Sequence, residues 1–340
     1  MRRMCLVGFL LLIPSLAAAQ TAGDSDVPRT PWGAPDLRGI WDNRTITPLE
    51  RPRQFAGKET LTAEEATAHE AATAKQRIGD RYYWDRGTRT VSDRRTALIV
   101  DPADGRVPPL TPEGQQRFED GRSQGVNGAE ERNPTERCIT RTVPRLPGLY
   151  NNNYQIFQTP GYVVILMEMI HEARIVPLDP RPQLAEDIEQ WNGDSRGRWE
   201  GDTLVIETTN FTAKTNFRGS TDHLRLVARL TRVDADTIDY QFTVTDPTTW
   251  TRPWTARIPL NLNEGPLYEY ACHEGNDGLS GILLVNRRIE RTEAGRCCRT
   301  LTRERTRAQR PRRSDRRGGP FTRFCSRDDA VRAFEVCGWS

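Results

Sequence analysis

The sequence predicts a mainly β protein: an antiparallel meander closed into a barrel, with an N-terminal segment of one or two short helices packed on it. Three observations carry this expectation. From about residue 150 onward, apolar stretches recur between turn signals every ten residues or so. In the later stretches the apolar residues fall at every second position, which marks a sheet with one buried face. No long amphipathic stretch separates them, so a helical or doubly wound α/β fold is excluded. A meander of this many strands hides its edges by curling into a barrel. A β-sandwich is the alternative, and the pattern alone does not separate the two.

The alternation is clearest late in the chain. Leu224, Leu226, Ala228 and Leu230 oppose Arg225, Arg229 and Thr231; Tyr240, Phe242 and Val244 oppose Asp239, Gln241 and Thr243; Ala256, Ile258, Leu260 and Leu262 oppose Arg257, Asn261 and Asn263. Val163 to Met167 is apolar on both sides and reads as a covered central strand. Further strands are expected at 153–159, 173–178, 196–199 and 204–209, with a tight hairpin at Glu200-Gly201-Asp202. The last is expected at Leu267 to Ala271, for about nine in all. Before the barrel, Thr62 and Glu65 form a capping box that opens a helix over 61–79. Thr96 to Val100 reads as a strand. Thr111-Pro112-Glu113 then opens a second short helix, with Thr as N-cap and Pro in the first turn.

The 340 residues are 36% hydrophobic and 28% charged, with 26 Gly and 23 Pro, enough to bury a real core. No apolar run reaches the roughly 18 residues of a membrane span, so no integral membrane segment is expected. Residues 1–19 have the parts of an export signal: Arg2 and Arg3, the apolar stretch Leu6 to Ile13, and Ala17-Ala18-Ala19 at the cleavage position. The expected organisation is therefore a signal peptide at 1–19, an extended and helical segment at 20–135, a barrel at 136–292 and a tail at 293–340. The location implied is periplasmic or secreted.

Export permits disulfides. Cys138 and Cys272 lie near the two ends of the β-rich region and are expected either to pair or to be separate buried thiols. The formal charge of +3 hides an asymmetry: residues 296–340 hold thirteen Arg and five acids, net +8, so the remainder carries −5. Aromatic interleaving in this tail is poor, so a nucleic-acid partner is not expected; the tail reads as disordered or foreign to the fold.

Several strings stand out together: Arg95–Pro102, Tyr150–Tyr154, Trp199–Val205 (WEGDTLV), Asp246–Thr255 (DPTTWTRPWT) and Glu269–Asn276 (EYACHEGN). They resemble an uncharacterised family of exported bacterial β-rich proteins, over about residues 30–290. The resemblance implies an exported body and brings no activity or site, and the tail stands outside it. Gly39-Ile40-Trp41 also resembles the Gly-x-Trp opening of lipocalins, which implies a lipocalin-like barrel.

Candidate chemistry is sparse. His171, at a hairpin, and His273, beside Glu274, are candidate catalytic groups, with Asp194 as a further carboxylate; the blander reading is an exposed turn His and a structural one. Asp194 and Asp202 could form a carboxylate pair for glycoside chemistry. Arg196, Arg198 and Trp199 in one stretch, and Trp250 with Trp254 in another, are candidates for binding a polar ligand, or else well-knit structure. Met167, Met169, Tyr240 and Phe242 are candidates to face a pocket. No nucleophile elbow, P-loop, dinucleotide fingerprint, His-Glu-x-x-His or haem site is expected, so neither a cofactor nor a metal is. The functional expectation is a barrel that binds a small, partly apolar ligand. The alternatives are a cofactor-independent hydrolase, lyase or isomerase, and a structural envelope-associated module.

Overall fold

A computed structural model describes residues 27–76, 87–123, 132–214, 217–289 and 291–292. The export signal and the Arg-rich tail, with Cys297, Cys298, Cys325 and Cys337, lie outside the described residues.

The later strands form where alternation places them. β8 (Arg225–Arg232), β9 (Thr237–Thr245) and β10 (Trp254–Leu262) pair antiparallel, and their buried residues alternate with partly exposed ones. Large side chains sit beside small ones across the wall: Phe242 is opposite Ala228 on one side and Ala256 on the other. Such pairing lets a ring enter the core without strain. β6 (Asp194–Glu200) and β7 (Thr203–Thr209) are joined by Gly201-Asp202, with Gly201 at φ +59°, the left-handed region that glycine occupies at no steric cost.

β3 (Asn153–Gln158), β4 (Tyr162–Met167) and β5 (Ala173–Pro177) form a second meander. The two are joined by β1 (Gly39–Asp42), which pairs with β3 on one side and β10 on the other. The wall therefore runs β5-β4-β3-β1-β10-β9-β8-β7-β6, nine antiparallel strands, with β2 (Ile99–Asp101) as an extra partner of β10. The ninth wall strand is thus not Leu267–Ala271, which is irregular. The edge of β10 that it would need is occupied by β1 and β2.

The sheet is nearly closed into a barrel. β5 and β6 approach without sharing a backbone ladder, and Gly197 makes that approach feasible: a Cβ there would lie 2.7 Å from both Val176 and Leu178. Side chains bridge the seam, since Arg174 Nε on β5 donates to Ser195 Oγ on β6 (2.9 Å) and Nη2 donates to Thr208 Oγ1 on β7. One barrel end is plugged by Trp41. Its Nε1 donates to the Leu37 carbonyl (2.9 Å), and the Arg232 guanidinium lies 5.1 Å from its ring centre. Arg232 is in turn held by the carbonyls of Asp36, Asp234 and Ala235.

The two N-terminal helices sit outside the wall, and a third helix runs over 277–289 after the last strand. α1 (Ala63–Gln76) carries the expected capping box, with Glu65 N donating to Thr62 Oγ1 (3.2 Å) and Thr62 N to Glu65 Oε2 (2.9 Å). α2 (Pro112–Ser123) is capped by Thr111, whose Oγ1 accepts from Gly114 N (3.0 Å). Cys138 and Cys272 are joined in a disulfide across 134 residues of sequence, their Cα atoms 5.7 Å apart. It ties residues 132–152 to the segment after β10.

Candidate functional site

Inside the wall, on the β3–β5 side, the inward residues do not fill the space. A partly open pocket remains, with about 30 Å³ of enclosed room, more than the ~10–15 Å³ that one water needs by this measure. Counted out to its mouth, the concavity measures about 400 Å³.

Register determines what lines it. Tyr154 and Ile156 on β3, Ile165 and Met167 on β4, and Arg174 on β5 share the inward phase, and Tyr154 pairs with Met167 as Ile165 does with Arg174. Across the interior, Leu230, Tyr240 and Leu260 close the apolar wall. Arg145, from the loop before β3, completes the lining.

The lining is thus mixed: five aliphatic or thioether side chains with two guanidiniums and two phenols among them. Arg145 is 3% exposed and Arg174 8%. Burial drives the pKa of both downward, although an arginine still keeps its proton. Arg145 Nη2 donates to the carbonyls of Tyr150 (3.2 Å) and Asn151, while its Nε and Nη1 have no partner among the described residues. The Tyr154 hydroxyl accepts from Asn43 Nδ2 (2.9 Å) and donates to the Arg145 carbonyl (3.1 Å). Burial pushes the Tyr240 phenol up to about 12, Arg174 pulling the other way, and the phenol stays protonated near neutrality.

The barrel end above this pocket carries backbone strain. Thr142 (φ +69°), Asn151 (φ +52°), Ile170 (φ +63°) and His171 (φ +46°) all sit in the left-handed region. For β-branched Thr142 and Ile170 that costs on the order of 1–3 kcal/mol each.

Of the residues singled out from sequence, Met167 and Tyr240 line the pocket. The others lie elsewhere. His171 is exposed, and its Nδ1 donates to the Tyr270 carbonyl (3.1 Å); His273 and Glu274 are exposed in a turn. Asp194 is buried, accepts from Leu184 N (2.9 Å) and is paired with Arg196. Asp202 lies past the far end of β6 and pairs with Arg29 (2.9 Å). Extended strand rises about 3.3 Å per residue, so the two carboxylates stand about 20 Å apart, too far for a glycosidase pair.

Arg198 belongs to an outer-face ladder with Glu200 and Glu207, continued by Arg225 and Arg229. Trp199 packs half-buried against the core. Trp250 and Trp254 are core residues, edge to face at 5.9 Å. Met169 and Phe242 are buried but do not line the pocket.

One motif corrects the sequence reading. Gly193-Asp194-Ser195-Arg196-Gly197 does spell Gly-x-Ser-x-Gly, yet Ser195 sits within strand β6 instead of at a strand-to-helix elbow. Its Oγ is engaged by Arg174 and Thr208 (3.0 Å), with no histidine bonded to it. Among the described residues no three His, Cys, Asp or Glu side chains converge to hold a metal ion, and no helix is long and apolar enough to cross a membrane. Comparisons with protein-family models, with curated proteins and with solved structures found no match.

Proposed function

We propose that this chain is an exported protein whose barrel binds a small, partly apolar ligand. The observation that carries the reading is the pocket itself. Five aliphatic or thioether side chains and four polar ones line a partly open space inside the wall. Pockets of mixed character, mostly apolar with a few converging polar groups, are the usual form of small-molecule sites. Strained backbone at the barrel end above it is a second support. Export is supported by the signal-like residues 1–19 and by the Cys138–Cys272 disulfide, a bond that persists in oxidising compartments.

The hydrolase, lyase or isomerase reading has no comparable observation behind it, because neither His171 nor His273 lines the pocket. The test is to extract purified protein with organic solvent and survey the extract by mass spectrometry. A compound should be recovered with the wild type and lost with Ile165→Trp, which fills the pocket. Finding no compound enriched, together with no chemical-shift change at β3–β5 in a small-fragment screen, would overturn the reading.

A further inference from the structure

We propose that the ligand presents a carboxylate, or a comparable small oxyanion, to Arg174 and Arg145, with its apolar part against the β3–β4 wall. This rests on the ligand-binding reading and adds a charge to it.

Two guanidiniums line one small pocket, both more than nine-tenths buried, and neither forms an ion pair among the described residues. A buried charge without a counter-charge is costly, and arginine cannot escape by losing its proton. Arg174 spends Nε on Ser195 and Nη2 on Thr208, two neutral hydroxyls that orient the guanidinium without neutralising it. Its Nη1 has no partner among the described residues. Arg145 leaves Nε and Nη1 unpartnered. The Tyr240 hydroxyl also lacks a partner among the described residues, and it lines the same space.

Two carboxylates, Glu168 and Glu172, act on Arg145 through space, but neither is paired with it. Glu172 accepts from Arg141 N (3.1 Å) and Asn192 Nδ2 (2.6 Å). The oxygens of buried Glu168 are likewise engaged elsewhere. Oε2 accepts from Asn153 N (3.2 Å) and Nδ2 (2.9 Å), and Oε1 accepts from Tyr268 N (3.3 Å). No carboxylate lines the pocket. Unspent N–H donors on two cations, with a phenol beside them, are the donor set that an oxyanion takes up. The aliphatic residues beside them suit a hydrocarbon tail.

The experiment compares straight-chain carboxylates of four to eight carbons with their primary amides, and with inorganic phosphate, by calorimetric and NMR titration of the purified chain. Carboxylates should bind at least about tenfold tighter than the amides, the range expected for hydrogen bonds to an ionised partner. Arg174→Gln should erase that preference, and Arg174→Lys should keep part of it. If Arg174→Gln does not fold, the acid–amide comparison on the wild type and on Tyr240→Phe decides alone. Amides that bind as well as carboxylates would overturn the charged head and leave the pocket reading standing. Phosphate binding without carboxylate binding would overturn the apolar-tailed carboxylate. Binding by none of the three would overturn the oxyanion proposal, while the pocket reading is decided by the extraction and the fragment screen.

Discussion

Replacing Gly197 by alanine puts a methyl group where β5 and β6 meet. The added Cβ would lie 2.7 Å from Val176 Cγ1 and equally close to Leu178 Cδ2. Ordinary carbon–carbon contact begins near 3.5 Å, so about 0.8 Å must be found. Leu178 can yield by rotating its terminal methyl groups. Val176 cannot do so readily: it is fully buried, and a β-branched side chain in a strand is stiff at χ1. The strands must therefore part, at the ~1–3 kcal/mol typical of overpacking. Loss of chain freedom in the unfolded state returns about 0.4–1 kcal/mol, which leaves a net loss of about 1–2 kcal/mol. Urea denaturation of the wild type, Gly197→Ala, Val176→Ala and the double variant would measure it. The double-mutant cycle should show a coupling of at least about 1 kcal/mol, because removing the valine methyl groups relieves the clash. A change within about 0.5 kcal/mol and no coupling would mean that β5 and β6 do not meet, and the barrel would have to be redrawn as an open sheet.

Three further expectations follow from the same geometry. The Cys138–Cys272 bond closes a loop of 134 residues, so the double Ala variant should lose up to about 5 kcal/mol in the chain-entropy account; an unchanged urea midpoint would refute this. Buried Asp246 accepts from the backbone N–H of Thr221 (2.7 Å) and Thr248 (3.0 Å) and from three threonine hydroxyls. Burial works to raise its pKa and is outweighed by these bonds, so the carboxyl is held below its ordinary value. Asp246→Asn should cost about 2–4 kcal/mol near neutrality. That contribution is complete above the unfolded pKa of about 3.9 and fades as pH falls through the lower folded value, so wild-type and variant acid-unfolding curves should converge at the lowest pH. Trp41→Ala should cost about 3–5 kcal/mol, whereas Trp41→Phe, which strands only the Leu37 carbonyl, should cost about 1–2 kcal/mol in thermal or urea unfolding.

The barrel was legible wherever local pattern and tertiary burial agree. Strict alternation in β8–β10, the Gly201-Asp202 hairpin, and the Thr62 and Thr111 caps all state their structure within a few residues. β1 does not. Its four residues gain a role only through partners on β3 and β10, more than a hundred residues away, and that pairing also displaces the strand expected at Leu267–Ala271. The pocket was half legible. Met167 and Tyr240 follow from alternation, and Arg174 had a signal that went unread: it is in phase with Val176, so a buried Val176 turns Arg174 inward as well. Arg145 had none, since its burial arises from a loop laid over the barrel end. The tryptophans misled for the opposite reason. A flanking arginine and proline look like surface recognition, while Trp254 is an inward residue of β10 and packs against Phe217, Phe242 and Trp250.

The seam between β5 and β6 is the one joint in the wall not held by a backbone ladder. Elsewhere, widening the barrel would mean breaking a row of amide hydrogen bonds together. At this joint it means loosening a few side-chain contacts, chiefly those of Arg174 with Ser195 and Thr208. Because Arg174 also lines the pocket, the latch and the lining are one residue. An inward displacement of its guanidinium would break the bonds to Ser195 and Thr208 and slacken the joint while every ladder stays intact.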